Sequence, residues 1–451
     1  MPEAGIIYIR LLLLIPINLP DIMTVLIGGI TAFVLAFVLT FFVKAFCYKV
    51  GWLDKPAARR VHTKAVPRLG GVAMFLAFVI ASLLFYTPGP NFNAHANELT
   101  IYWLLIAAGA LMVLVHAYDD ILGLGPWPKL LAQTIAVIII LGPWIDKTFH
   151  GVLLFTFNNP FGIEHLNPNL PPPPWYREPT FLLFIQKADI TFAAIPAILL
   201  TWFWTVGMMN TVNWIDGMDG LATGVVGITA LFITLISFML HQYSIAVLSA
   251  IFTGAIFGFL PHNWNPAKIF MGDSGSMFLG LALAVLSIMG GAKLALALMV
   301  LGVPILDVAV VIMNRIRRRQ SPVHYDKTHL HHRLMATGLS VKQICYLFYG
   351  LATTFGLLAL SFSFSGIHSA HLYKFLGIIL VVLTMVGLVI WVDRRQRQRG
   401  VPIKLGGPDQ GTEGPGDGPG MPTEENVVID YGSKETSEGG GTSYPATISL
   451  D

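Results

Sequence analysis

Asn210-Thr211-Val212-Asn213-Trp214-Ile215-Asp216-Gly217-Met218-Asp219-Gly220 lies between two apolar runs, each long enough to cross a bilayer. The stretch holds amides and carboxylates, with glycines that free the backbone. Polar groups this dense beside hydrocarbon are costly, so they point to a site. A wet loop of helix-capping Asn and Asp residues is the plainer account. Yet other stretches at the ends of apolar runs repeat the pattern. They are Tyr118-Asp119-Asp120, His262-Asn263-Trp264-Asn265 with Met271-Gly272-Asp273-Ser274-Gly275, and His329-Leu330-His331-His332-Arg333. The recurrence favours a site, provided these loops share one side of a membrane.

The membrane itself follows from composition. The 451 residues are 55% hydrophobic and only 12% charged, with mean hydropathy +0.68. Soluble chains carry about 25% charged residues. The chain therefore reads as an all-α polytopic integral membrane protein. A net charge of +3 says little, because its distribution matters more. Cys47 and Cys345 are far apart in or beside apolar segments, which makes neither a disulfide framework nor a metal knuckle. The apolar run 6–17 is short for a span and lacks a convincing cleavage site, so it reads as interfacial.

A span takes about 20 apolar residues, and on that rule about eleven transmembrane helices are expected. They are 22–46, 69–86, 101–118, 130–145, 191–209, 223–240, 244–260, 275–290, 294–313, 341–364 and 373–392. The Gly- and Ala-rich segment 275–290 implies close helix packing. Basic residues set the orientation. Lys49, Lys55, Arg59, Arg60, Lys64 and Arg68 follow the first helix. Arg315, Arg317, Arg318, Arg319, Lys327 and Arg333 follow the ninth, and Arg394, Arg395, Arg397 and Arg399 the last. An odd span count puts all these clusters on the cytoplasmic face and the N-terminus outside. Among the short connections on the opposite face, 88–100 and 365–371 carry no Lys or Arg, and Lys293 is a lone exception. The polar loops follow the third, fifth, seventh and ninth helices, so parity alone opens all of them to the cytoplasm.

Residues 1–21 are then an external or interfacial segment, 22–392 the membrane catalytic part, and 393–451 a disordered cytoplasmic tail rich in Gly, Pro, Ser, Thr and Glu. The insertion 146–190 is an external loop. Its run Pro171-Pro172-Pro173-Pro174 favours an extended conformation, and 155–163 could form a hairpin.

Adjacent Asp119 and Asp120 repel, so keeping both ionised beside a membrane calls for a cation. Mg²⁺ prefers hard oxygen ligands and commonly brings a phosphate with it. Lys129 opens the next helix and could reach that phosphate. Asp273 lies between glycines at a helix start, where anions are favoured; it is either a remote metal ligand or an N-cap. Phe270 could stack on a base or simply pack. His329, His331 and His332 lack zinc spacing and a nearby Cys. Together with the arginines they suit a diphosphate better. Asp307, deeper in the ninth helix, is left with an open role. The sum is a site with Mg²⁺ (or Mn²⁺), suited to phosphoryl transfer between a soluble nucleotide and a lipid.

From Gly51 to Leu339 the loops resemble the polyprenyl-phosphate N-acetylhexosamine-1-phosphate transferase family. The resemblance includes Asp54-Lys55-Pro56 with Arg59-Arg60-Val61-His62, and Pro67-Arg68-Leu69-Gly70-Gly71. It continues through Asp119-Asp120, the Asn213/Asp216/Asp219 loop, Met271–Gly275 and His329–Arg333, all in family order. The resemblance implies that a polyprenyl phosphate, undecaprenyl phosphate in a bacterium, attacks the sugar-linked phosphate of a UDP-N-acetylhexosamine and releases UMP. By the same resemblance Asp119 matches the base, and Asp120 and Asp273 the carboxylates near Mg²⁺. Lys129 matches a phosphate contact, Asn213 a site amide and Asp216 an acidic site residue. Asp219 and Phe270 match positions that hold uracil. Arg315 and His329, His331 and His332 match the loop over the diphosphate and sugar.

Leu330 interrupts what is a run of histidines in the branch that uses UDP-N-acetylmuramoyl-pentapeptide. The resemblance thus implies UDP-N-acetylglucosamine, with the muramoyl-pentapeptide transferase as the alternative. If 329–333 is extended, Leu330 should face away from the side that His329 and His331 share. A transporter or lipid flippase is the rival from another class, but it would place ionisable groups along a path through the bilayer. The expected partners are the UDP-sugar, the polyprenyl phosphate and the bilayer in the plasma membrane, with no nucleic acid and a homodimer left open.

Overall fold

The computed structural model describes residues 21–54, 65–88, 98–145, 148–149, 151–154, 156–158, 183–185, 189–192, 194–289, 293–317, 329–364 and 370–398. All fall within the compact unit Met1–Gly406. Helices dominate, because a chain without water around it must satisfy its backbone internally. They are α1 (Asp21–Val50), α2 (Gly70–Phe85), α3 (Glu98–Leu122), α4 (Pro126–Leu141), α5 (Ala194–Ile215), α6 (Leu221–Met239) and α7 (Tyr243–Asn263). After these come α8 (Gly272–Met289), α9 (Lys293–Val300), α10 (Gly302–Arg317), α11 (Leu330–Ala336), α12 (Val341–Phe364) and α13 (Ala370–Gln398).

The bundle is built around α8, whose apolar window is 89% buried. It packs against α2, α3 and α5, while α1 and α6 embrace α7. Small residues allow this, as the Gly- and Ala-rich sequence implied. On α7, a Cβ at Gly254 or Gly258 would collide with the carbonyls of Gly29 and Phe33 on α1. The outer helices are apolar outward. On α1, Ile22, Phe42 and Phe46 are exposed, and only 22% of its window is buried. Such a surface belongs in lipid.

Among the described residues, 8 helices are long and apolar enough to cross a membrane, or up to 9 if a bent pair is one span. The expected eleven is reached only if the bent pair and the two shorter apolar helices also cross. Each expected segment is helical, but α2 and α4 have 16 residues each. The expected ninth helix is broken into α9 and α10, bent by 75°. Pro304 explains the break: its ring clashes with the carbonyl four residues back, that of Val300, where α9 ends. The expected parity holds if the bent pair is one broken span and fails if it is a re-entrant loop.

Other boundaries also move. Helix α5 begins at Ala194 and runs to Ile215, so Asn210 and Asn213 are helical and only Asp216–Gly220 forms a turn. Helix α13 continues to Gln398, past the expected end at 392. Small β elements depart from a purely helical chain. Strand β1 (Leu53–Asp54) pairs antiparallel with β2 (Val66–Pro67), and β3 (Trp144–Ile145) with β4 (Thr148–Phe149). A three-stranded sheet has the order β5 (Thr156–Asn158), β7 (Asp189–Phe192), β6 (Leu183–Ile185). Of the expected hairpin 155–163, only 156–158 is described, and it pairs with β7; the rest lies outside the described residues. The interfacial segment 6–17, the tetraproline, the basic runs 55–64 and 318–328 and the tail beyond 398 lie outside the described residues.

Candidate active site

The site begins where α8 begins. The Asp120 carboxylate, in the last turn of α3, accepts the backbone N–H groups of Asp273 (2.8 Å) and Ser274 (3.1 Å) and the Ser274 hydroxyl (2.8 Å). It thereby caps α8 from another helix, where the dipole favours an anion. Gly272 makes this approach feasible. Its φ is +71°, and a Cβ there would collide with the Arg68 carbonyl and the Asp120 carboxylate. Arg68 Nε lies 4.0 Å from Asp120 Oδ1. Backbone hydrogen bonds from Phe270 to Pro67, Gly70 to Phe270 and Gly71 to Met271 hold the two motif segments side by side. Beside Asp120 opens a cavity of about 100 Å³, with Trp52, Asp54 and Arg68 in its wall.

Lys129, in the first turn of α4, joins the carboxylates. Its Nζ lies 2.6 Å from Asp119 Oδ2 and 2.8 Å from Asp273 Oδ2. Asp119 also accepts the Leu124 N–H, which closes the turn after α3. Asn213 donates to Asp273 Oδ1 (3.1 Å) and to Ser276 Oγ (2.9 Å). Asp119, Asp120 and Asp273 each place a carboxylate oxygen within 4.8 Å of the others. One turn beyond Lys129 and Asn213, the Asn210 amide donates to Gln133 Oε1. The polar layer therefore continues into the bundle.

A second group of residues adjoins the first through the turn after α5. Asp216 N–H donates to the Asn213 carbonyl at 3.3 Å. Burial pushes the Asp216 carboxyl well above the usual carboxylate range, and the nearby charge of Asp273 adds to this. Asp219 accepts the Asn265 side-chain amide (2.9 Å) and the Ala267 N–H (3.0 Å), tying this turn to the loop after α7. Asn263 secures the same junction by accepting from Gly220 N–H and the Thr223 hydroxyl. From α12, the Tyr349 hydroxyl donates to the Gly220 carbonyl at 2.5 Å.

His331 and His332 sit on α11 with His329 at its N-cap, so an extended form does not hold from Leu330 onward. Residues 330–336 are helical, so side chains do not alternate, and Leu330 is buried in the core at 1% exposure. Asp307 finds its role here. One of its oxygens meets His329 Nδ1 at 2.9 Å, and the other accepts the Leu330 N–H at 2.9 Å. His329 stacks on His331 with rings 8° from parallel, and the ring centroids of His331 and His332 lie 4.3 Å apart. His331 presses its Nε2 onto Gly217, leaving no room for a Cβ there, and that nitrogen is buried without a hydrogen-bond partner. Burial, then the neighbouring His332 and His329, hold its pKa well below the ordinary value.

Asp119, Asp120, Lys129, Asn213 and Asp273 thus form one cluster. Asp216, Asp219 and the histidines form an adjoining one. Phe270 is fixed beside the first through its backbone, and Arg315 is buried about two turns beyond Asp307 on α10. Sequence reading missed Ser274, Ser276 and Asn263, although each stands in or beside a quoted motif. It also missed Asp393, a lone acid among arginines.

The profile of glycosyl transferase family 4 matches residues 102–291. The chain is 30% identical over 374 residues to the probable undecaprenyl-phosphate N-acetylglucosaminyl 1-phosphate transferase of Bacillus subtilis, covering 81% of this chain and 91% of that protein. The chain belongs to glycosyl transferase family 4. The decaprenyl-phosphate N-acetylglucosaminephosphotransferase of Mycolicibacterium smegmatis is 32% identical over 346 residues, with 71% of this chain and 78% of that one covered. A phospho-N-acetylmuramoyl-pentapeptide-transferase of Staphylococcus aureus is 29% identical over 320 residues, covering 69% and 90%. The family match contains Asp119, Asp120, Lys129, Asn213, Asp216, Asp219, Phe270 and Asp273. Arg315 and the histidine helix lie beyond it.

Proposed function

We propose that this protein transfers N-acetylglucosamine 1-phosphate from UDP-N-acetylglucosamine to a polyprenyl phosphate at the cytoplasmic face of a plasma membrane. The observation that carries the reading is the convergence of Asp119, Asp120 and Asp273 around Lys129 at the mouth of a lipid-facing bundle. The names of the two N-acetylglucosamine-phosphate relatives agree with it. In the reaction, an oxygen of the lipid phosphate attacks the sugar-linked phosphorus. The bond from that phosphorus to the bridging oxygen breaks, and UMP leaves with that oxygen.

The three carboxylates offer hard oxygen donors close enough together for one small divalent ion, which fits Mg²⁺ with Mn²⁺ as a substitute. When bound, the ion neutralises diphosphate charge. Asp119 takes the proton of the lipid phosphate. Lys129 contacts a phosphate, and Asn213 orients Asp273. Asp219 fixes the 264–267 turn that, with Phe270, walls the uracil site. Arg315 and the histidines of α11 face the diphosphate and sugar.

The test is UMP release by the purified protein with a panel of UDP-sugars and undecaprenyl phosphate. Competition at equal concentration between UDP-N-acetylglucosamine and UDP-N-acetylmuramoyl-pentapeptide, scored by product mass, tests the branch. A predominant muramoyl-pentapeptide lipid overturns the donor and leaves the phosphotransfer reading standing. Substrate movement across vesicles without UMP release overturns both.

A further inference from the structure

Helix α13 is longer than a membrane requires. Its 29 residues span roughly 44 Å at 1.5 Å per residue, against a hydrocarbon core of about 30 Å. The overhang reads Val392-Asp393-Arg394-Arg395-Gln396-Arg397-Gln398. A positive-inside anchor accounts for its arginines. It does not account for an acid among them, nor for the buried face of Val381 and Met385 continuing past the membrane stretch to the tip. Val392 is fully buried and Gln396 is 5% exposed. Arg395, by contrast, lies over the exposed ring of Trp391, 5.2 Å from its centroid.

The buried face meets α11. Asp393 forms an ion pair with Arg333, and Gln396 Nε2 donates to the Arg333 carbonyl at 3.1 Å. At the other end of α11, Asp307 of α10 holds His329 and the Leu330 N–H. Between these ends, Leu330 and Leu334 are buried. A helix of seven residues is too short to hold itself, so its position must come from these attachments.

We infer that Asp393 is a positioning residue. Through Arg333 it fixes the depth at which α11 seats His331 on Gly217 and so places the histidine rings over the reacting groups. The inference rests on the phosphotransferase reading above. A partly exposed ion pair contributes little to global stability. Misplacing a catalytic group by even an ångström slows turnover strongly.

The experiment measures steady-state UMP release by full-length protein in lipid nanodiscs, with UDP-N-acetylglucosamine and undecaprenyl phosphate, alongside thermal unfolding. Asp393→Ala should lower kcat at least about tenfold. KM for the donor should stay within about twofold, as should the kcat of the Arg395→Ala control. The exchange Arg333→Asp with Asp393→Arg should recover at least about fivefold over Asp393→Arg alone. Wild-type kcat in Asp393→Ala overturns the inference while leaving the phosphotransferase reading intact. So does an equal loss in Arg395→Ala, an exchange that recovers nothing, or a loss matched by collapse of the unfolding midpoint. A wild-type protein that releases no UMP with any UDP-sugar of the panel overturns both.

Discussion

His331 and Gly217 are in direct contact: the buried imidazole Nε2 rests where a side chain at 217 would begin. The two residues are over a hundred positions apart, and their contact sets the gap between α11 and the turn after α5. Gly217→Ala should therefore push the histidine helix outward. The expected result is a fall of at least about tenfold in UMP release, since over-packing a tight contact costs about 1–3 kcal/mol and the ring must move. Unfolding should remain cooperative. Wild-type turnover in the variant would remove His331 from the site.

The carboxylate cluster predicts a cation requirement. Asp120→Asn or Asp273→Asn should lower activity at least about a hundredfold, as loss of metal-borne charge stabilisation costs about 3 kcal/mol or more. EDTA should abolish activity, and added Mg²⁺ or Mn²⁺ should restore it. Asp120→Asn should also loosen the start of α8, because Asp120 caps that helix. Hydrogen exchange at Asp273 and Ser274 would register this separately. Full activity in EDTA-treated protein contradicts the metal assignment.

His331 predicts a pH dependence. Its folded pKa is depressed by burial and by the adjacent histidines, below an unfolded value of about 6.5. Between the two values the unfolded chain binds more protons, so stability rises with pH. The contribution of His331 is complete above about 6.5 and is lost as pH falls towards the folded pKa. His331→Gln should flatten the stability profile in that window relative to wild type. Parallel profiles for the two proteins would refute the buried neutral histidine.

Orientation is open to chemical labelling. The asymmetry of Lys and Arg predicts that the chain after α13 is cytoplasmic and that 88–100 is external. Single cysteines in 88–100 should react with an impermeant thiol reagent in intact cells. Cysteines after residue 398 should react only after lysis. The reverse pattern would invert the site to the outer face.

Much of this protein was fixed by local chemistry and is readable residue by residue. Apolar runs must form helices in lipid, and most of each expected segment proved helical. Carboxylates, amides and histidines stranded beside those runs marked the candidate site, because burial beside lipid is costly for them. Tertiary structure decided what those residues do to one another. Asp120 looks like a ligand in sequence, and the fold gives it a second task, capping α8, a helix that begins about 150 residues later. Asp307 appeared stranded within an apolar run until α11 brought His329 to it. Pattern alone left 329–333 open to an extended form, but packing made the chain from Leu330 helical and put Leu330 in the core. Asp393 looked like the start of a solvated tail, and only the return of α13 beside α11 paired it with Arg333. Periodicity reports the face a residue prefers over a few turns of its own helix. The partner on that face is chosen by chain closure over a hundred residues or more, and no local pattern carries that information.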